Sequence, residues 1–205
     1  MLGFLITTFT LLSTLFWMYD HLVCGFLFSK LGWKIDETIN ISEINKTYPK
    51  VIFVILHTSW VDGIIAVLSC NILRVYMYNI VKYKWMKCLT IIAPYYRPIA
   101  LQSVSTKSII DFMNKQETCC MSLAPEGSRQ FVSPWRTGWH VIAQQTNAVI
   151  IPIGLDYSTK TVHLHTVFKT TEDYNKDLII MQNELSKYIP KYPNKCSLFN
   201  KPPSN

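Results

Sequence analysis

Six consecutive apolar residues, Val51-Ile-Phe-Val-Ile-Leu56, run straight into His57. A run of that length, rich in β-branched side chains and without polar alternation, is what a strand buried on both faces requires. Such strands lie in the middle of parallel sheets covered by helices. Val149 to Leu155 has the same character. Around these two runs, strands and helices take turns. Helical spacing extends from Asp62 to Leu73, and strands are expected over Val75 to Ile80 and, briefly, Ile99 to Leu101. A helix over Ser105 to Gln116, a strand over Cys119 to Leu123 and a helix over Gly138 to Gln145 follow. An alternating strand over Thr161 to Phe168, nearer the edge, and a closing helix over Asp177 to Tyr188 complete the pattern. The alternation predicts a single α/β domain with a mostly parallel central sheet flanked by helices, whose ligands gather beyond the strands' carboxyl ends. Gly32 to Pro49 reads as a linker or small helix, and the Pro-, Asn- and Lys-rich tail after Ile189 as a loose terminus.

Ahead of the domain, Leu2 to Tyr19 carries no charge, and apolar character resumes through Phe28 after a break at Asp20-His21. About 18 helical residues rise roughly 27 Å against a hydrocarbon core of about 30 Å, so the segment either barely spans or dips into one leaflet as a bent helical pair. The basic start and small-residue cleavage site of a signal peptide are not clear here. Residues 1–30 are therefore expected to form an N-terminal membrane-anchoring segment, and residues 31–205 the folded domain. Lys30 and Lys34 follow the segment and no cation precedes it, which places the domain on the cytoplasmic side. The formal net charge of +7 suits anionic lipid or a phosphorylated ligand as well as nucleic acid. The stretch Arg74 to Lys87 interleaves cations and aromatics, and beside an apolar amino terminus it reads as a membrane-surface element. No nucleic-acid partner is expected. With 49% hydrophobic and 16% charged residues the chain is not disordered. Its six cysteines form no Cys-x-x-Cys pair and read as reduced core thiols, Cys119 and Cys120 pointing to opposite faces of one strand.

Polar chemistry collects in two loops at strand ends. In His57-Thr-Ser-Trp-Val-Asp62, the acid can fold back onto one ring nitrogen and leave the other free to take a proton. The second loop is Pro125-Glu126-Gly127-Ser128-Arg129. His163 and His165 share one face of a strand at a spacing that suits zinc, yet no third ligand is near them in the sequence, so they read as surface histidines. His140 reads as packed in its helix. No phosphate-cradling Gly-rich loop and no Gly-x-Ser-x-Gly elbow occurs.

Taken in chain order, His57-x4-Asp62, Arg97, Pro125 to Arg129 and Val149-Ile-Ile-Pro152-Ile resemble the glycerolipid acyltransferase superfamily, enzymes of the 1-acylglycerol-3-phosphate acyltransferase type. Trp135-Arg-Thr-Gly138-Trp-His-Val-Ile-Ala143 is similar to the helix after the third block in small bacterial-type members. The likeness covers Val51 to Tyr157. Ala93-Pro94-Tyr95-Tyr96 precede Arg97 where the family carries glycine and small residues, and Ser128 stands where threonine is common.

The resemblance implies a membrane-associated O-acyltransferase that moves a fatty acyl group from acyl-CoA or acyl-carrier protein to the hydroxyl of a glycerol-phosphate or lysophospholipid acceptor. His57 would be the general base, oriented by Asp62. Arg97 and Arg129 would clamp phosphate, Glu126 would orient the acceptor or an arginine, Gly127 would admit backbone to the ligand, and Ser128 would keep a hydroxyl. Backbone N–H groups at the start of the helix after Asp62, or near Gly127, would hold the oxyanion. No metal and no organic cofactor is implied beyond the thioester co-substrate. The expected partners are membrane lipids, the acyl donor and the lipid acceptor. Two other readings fit the residues: a serine-dependent lipid hydrolase with Ser59 or Ser128 as nucleophile, and a non-catalytic membrane-binding protein of the same fold.

Overall fold

The structure, a computed structural model, describes residues 21–80, 95–99 and 105–199. The apolar segment Leu2 to Tyr19, the cationic and aromatic stretch Lys82 to Lys87, and the end of the short strand expected at Leu101 lie outside the described residues. Among the described residues there are seven strands: β1 (Lys34–Glu37), β2 (Lys50–Ile55), β3 (Met77–Ile80), β4 (Tyr96–Ile99), β5 (Cys119–Leu123), β6 (Val149–Asp156) and β7 (Thr161–Leu164). The helices are α1 over 21–30, α2 (Ile44–Thr47), α3 (Val61–Leu73), α4 (Thr106–Asn114), α5 (Gly138–Thr146) and α6 (Tyr174–Leu185).

The strands form one sheet in the order β1-β7-β6-β2-β5-β3-β4. β2 to β6 run parallel, while β7 pairs antiparallel with β6 and carries β1 parallel beside it. The apolar run therefore sits where its composition demands. β2 lies between β5 and β6, with Val54 level with Leu123 on one side and Pro152 on the other. Val51 and Phe53 face a core with Ile65 and Leu68 of α3, whereas Ile52, Val54 and Leu56 face one with Met113 of α4, Ile142 of α5 and Met181 of α6. Cys119 and Cys120 fall into these two cores separately, as expected for neighbours in a strand. Each large apolar side chain buried this way contributes about 1.5–3 kcal/mol, so β2 pins both layers.

Several segments depart from the sequence expectation, among them the short strand expected over Ile99 to Leu101, which starts earlier and runs over Tyr96–Ile99. Gly32 to Pro49 contains the edge strand β1 as well as the short α2. Lys34-Ile-Asp-Glu37 has one apolar residue and three charged ones, so no hydrophobic pattern marks it; its place comes from pairing with β7. The closing helix α6 starts earlier, at Tyr174, because the Asp173 side chain accepts from the Lys176 N–H at 3.1 Å. The tail beyond Ile189 is not loose: Cys196 is fully buried, the Tyr192 N–H donates to Thr58 Oγ1 at 3.3 Å, and the Ser197 N–H donates to Glu126 Oε1 at 3.0 Å. Pro, Asn and Lys suggested solvent, but a strap needs only a few anchoring atoms. His140 is packed as expected and also paired, its Nε2 lying 3.0 Å from buried Asp177, which ties α5 to α6.

Candidate active site

β2 ends at Ile55, and the chain enters the loop that opens α3. No side chain caps that helix at Trp60; Asp62 in its first turn folds back instead. Asp62 Oδ2 accepts from the Thr58 and Ser59 N–H groups at 2.9 and 2.8 Å and from His57 Nδ1 at 3.1 Å. An ionised carboxylate only accepts, so Nδ1 carries the hydrogen and Nε2 keeps its lone pair. Asp62 Oδ1 takes a hydrogen bond of 2.5 Å from the hydroxyl of Tyr157, the residue after β6. Burial and the bond to Asp62 push the Tyr157 phenol upward, which keeps it a donor. Four donors thus surround a carboxylate that is only 2% exposed, the condition under which a buried charge is tolerated. His57 remains open, with 36% of its side chain exposed.

The imidazole borders a cleft of about 570 Å³ at the carboxyl ends of β2, β3 and β5. Its opposite wall is the loop after β5. Gly127 there has φ +62°, which favours glycine, and a Cβ would stand 3.3 Å from the Arg136 side chain. The Arg136 N–H is held by Pro125 O at 3.1 Å. Arg129 and Arg136 both line the cleft, and neither pairs with an acid among the described residues. Gly63 of α3, Thr106 of α4 and Gly138 of α5 line it too, so three helix amino termini add positive potential to the two guanidinium groups. An anion in this cleft would meet both guanidinium groups within the same space that His57 borders.

Of the expected site residues, the fold gathers His57, Asp62, Gly127, Ser128 and Arg129 around this space. Arg97 is elsewhere. It is paired with Tyr78, which is level with Met121 and in turn with Ile52, five residues before His57 and three strands away. At roughly 3.3 Å per residue that is about 16 Å along the strands alone. Its guanidinium lies 4.2 Å from the Tyr76 ring centre and donates to the Tyr78 hydroxyl at 3.2 Å. Glu126 is buried and turns to the tail, accepting from both Ser197 N–H and Oγ. Ser59 Oγ accepts from the Val61 N–H and Ser128 Oγ from the Gln130 N–H; neither serine hydrogen-bonds His57 among the described residues. Two residues at the site were given no role from the sequence, Tyr157 and Arg136. Arg136 had a visible sign, a cation just before a helix start, but Tyr157 had none because its partner is 95 residues away.

No protein-family model matches the sequence, and no curated protein matches it. Among solved structures the chain is similar to a 1-acyl-sn-glycerophosphate (LPA) acyltransferase, PlsC, from Thermotoga maritima. The TM-score is 0.55 at 14% identity, over 83% of this chain and 77% of that chain. At that identity the likeness speaks to the fold, a single α/β domain with a mostly parallel seven-stranded sheet.

Proposed function

We propose that this chain is a membrane-associated acyltransferase that moves a fatty acyl group from a coenzyme A or carrier-protein thioester to the hydroxyl of a glycerol-phosphate or lysophospholipid acceptor. The observation that carries the reading is the His57–Asp62 pair, 3.1 Å apart, opening on a cleft that also holds Arg129 and Arg136. The fold shared with an LPA acyltransferase supports it.

In this mechanism His57 Nε2 takes the proton of the acceptor hydroxyl as its oxygen attacks the thioester carbonyl. Asp62 stabilises the imidazolium without becoming protonated. Collapse of the tetrahedral adduct breaks the carbon–sulfur bond, and the leaving sulfur receives the proton from the imidazolium. Arg129 and Arg136 hold the acceptor phosphate, a pairing that guanidinium forks make with two parallel hydrogen bonds. Arg97 takes no part in that clamp. An apolar cavity of about 60 Å³ beneath α3 shares Ile55, Ala66 and Ser122 with the cleft, which suits the first methylenes of an acyl chain.

Lipid acceptors explain the exposed apolar groups near the cleft, Trp60 at 65% and Ile64 at 41%, and those on α1, Leu22 at 66% and Phe26 at 61%. Among the described residues no helix is long and apolar enough to cross a membrane. Residues 1–30 are kept as the proposed anchor, with the domain on the cytoplasmic side, because Leu2 to Tyr19 is uncharged and Lys30 and Lys34 follow it.

The test is thiol release from acyl-CoA and acyl-carrier protein by the purified full chain, with glycerol 3-phosphate and a panel of lysophospholipids as acceptors. His57→Ala is expected to lower turnover by at least about 100-fold while circular dichroism stays unchanged. Normal turnover by the folded variant would defeat the proposal, and labelling of wild-type protein by a serine-directed phosphonate would favour the hydrolase.

A further inference from the structure

We propose that Asp36, His163 and His165 form a binding site for a first-row divalent metal ion, zinc by preference, at the edge of the sheet. The proposal is independent of the acyl-transfer reading. β1 places Asp36 level with His163, and His165 follows two residues later, so the three side chains leave the same face. The sequence displays only the histidine pair; the third group arrives from 127 residues away.

The geometry is that of a coordination face. Asp36 Oδ2 lies 3.2 Å from His163 Nδ1 and 3.3 Å from His165 Nε2, and the two nitrogens are 3.2 Å apart. Ligands at about 2.0–2.1 Å from a tetrahedral zinc ion stand about 3.3 Å from one another. The triangle matches that edge length, which hydrogen bonds also reach.

The surroundings fix the ligand atoms. The Thr38 hydroxyl donates to the His165 carbonyl oxygen at 3.3 Å, and its oxygen lies 3.4 Å from His165 Nδ1. Nδ1 then carries the hydrogen and Nε2 presents its lone pair to the cluster, the arrangement that outer partners impose on metal-binding histidines. That lone pair faces a carboxylate oxygen and a second imidazole nitrogen. A cation among the three atoms offsets their mutual repulsion, as a hydrogen on His163 Nδ1 also would. The His163 ring is held by stacking on Tyr188, centre to centre 4.6 Å at 19°, and Tyr188 fits there because residue 154 is glycine, where a Cβ would overlap its ring. Asp36 is 54% exposed, which leaves a fourth position to water. Two imidazoles and one carboxylate favour zinc and its neighbours over magnesium or calcium, which prefer oxygen. A bound ion would clip β1, a four-residue edge strand, to β7.

Chelator-stripped full chain titrated with zinc by calorimetry is expected to bind one equivalent at this cluster. His165→Ala and Asp36→Ala should each weaken that binding by at least about 100-fold. His163→Phe keeps the stack on Tyr188 while removing the ligand atom, and should do the same with an unchanged circular dichroism spectrum. Saturating zinc should raise the unfolding midpoint of the wild type by about 5 °C or more and leave these variants unmoved. Cobalt in place of zinc should give visible bands without thiolate charge transfer, since every described cysteine is buried away from the cluster. No binding tighter than millimolar overturns the proposal, meaning that the three groups share a proton as an imidazolium bonded to Asp36. Binding that survives His163→Phe combined with His165→Ala overturns it equally.

Discussion

Tyr157 is the residue whose removal tests the proposed base most directly. Its hydroxyl is the sole donor on Asp62 Oδ1 among the described residues, so Tyr157→Phe leaves one carboxylate oxygen buried and unpartnered. Stability is expected to fall by about 1–3 kcal/mol in urea unfolding. If about 1.4 kcal/mol of that bond supports the imidazolium, kcat falls roughly tenfold with the acceptor KM unchanged, which steady-state kinetics would show. The arginines separate in the opposite way. Arg136→Ala, like Arg129→Ala, should raise the acceptor KM more than the thioester KM, whereas Arg97→Ala should alter neither, because its guanidinium rests on Tyr76 at the far edge. A rise of the acceptor KM in Arg97→Ala would contradict the proposed clamp. His57 and Asp62 were legible because a helix start brings residues five apart together without help from the rest of the chain. Tyr157 and the displacement of Arg97 were not, since both depend on strand order, which no local pattern encodes.

At the level of elements, the loop after β5 and the strap after α6 act as one unit through Glu126. Burial holds the Glu126 carboxyl above the usual carboxylate range, against the lowering effect of its bonds from Ser197. The folded state therefore binds the proton more tightly than the unfolded chain does. Stability from this group is complete below the unfolded value of about 4.3 and declines as pH rises through the higher folded value. Glu126→Gln keeps an acceptor for Ser197 and removes the titration. Its urea midpoint should exceed that of the wild type increasingly as pH climbs from 4 to 7, and a constant difference would refute the assignment. The central strands announced themselves by unbroken apolar runs, and α3 to α5 by helical spacing. β1 and the strap did not: β1 is held by backbone pairing with β7, and the strap by a few hydrogen bonds and the burial of Cys196, without a periodic hydrophobic stripe.

Across the whole molecule, the parallel sheet sets its cleft where alternating strands and helices predict, at the carboxyl ends, and that much was visible in the order of the elements. Less visible was how the amino-terminal strand meets the other end of the design. Trp33, just before β1, sets its ring edge against Tyr157 at 4.9 Å, and Tyr157 holds Asp62. A chain lacking residues 1–33 is expected to turn over more slowly even when the lipid acceptor is supplied in detergent micelles, where anchorage is irrelevant. Equal turnover with and without that segment would limit its role to tethering. A tryptophan leaning on a phenol in this way joins the chain just before β1 to the imidazole through three successive contacts, so a disturbance at residue 33 is expected to reach His57 without touching it.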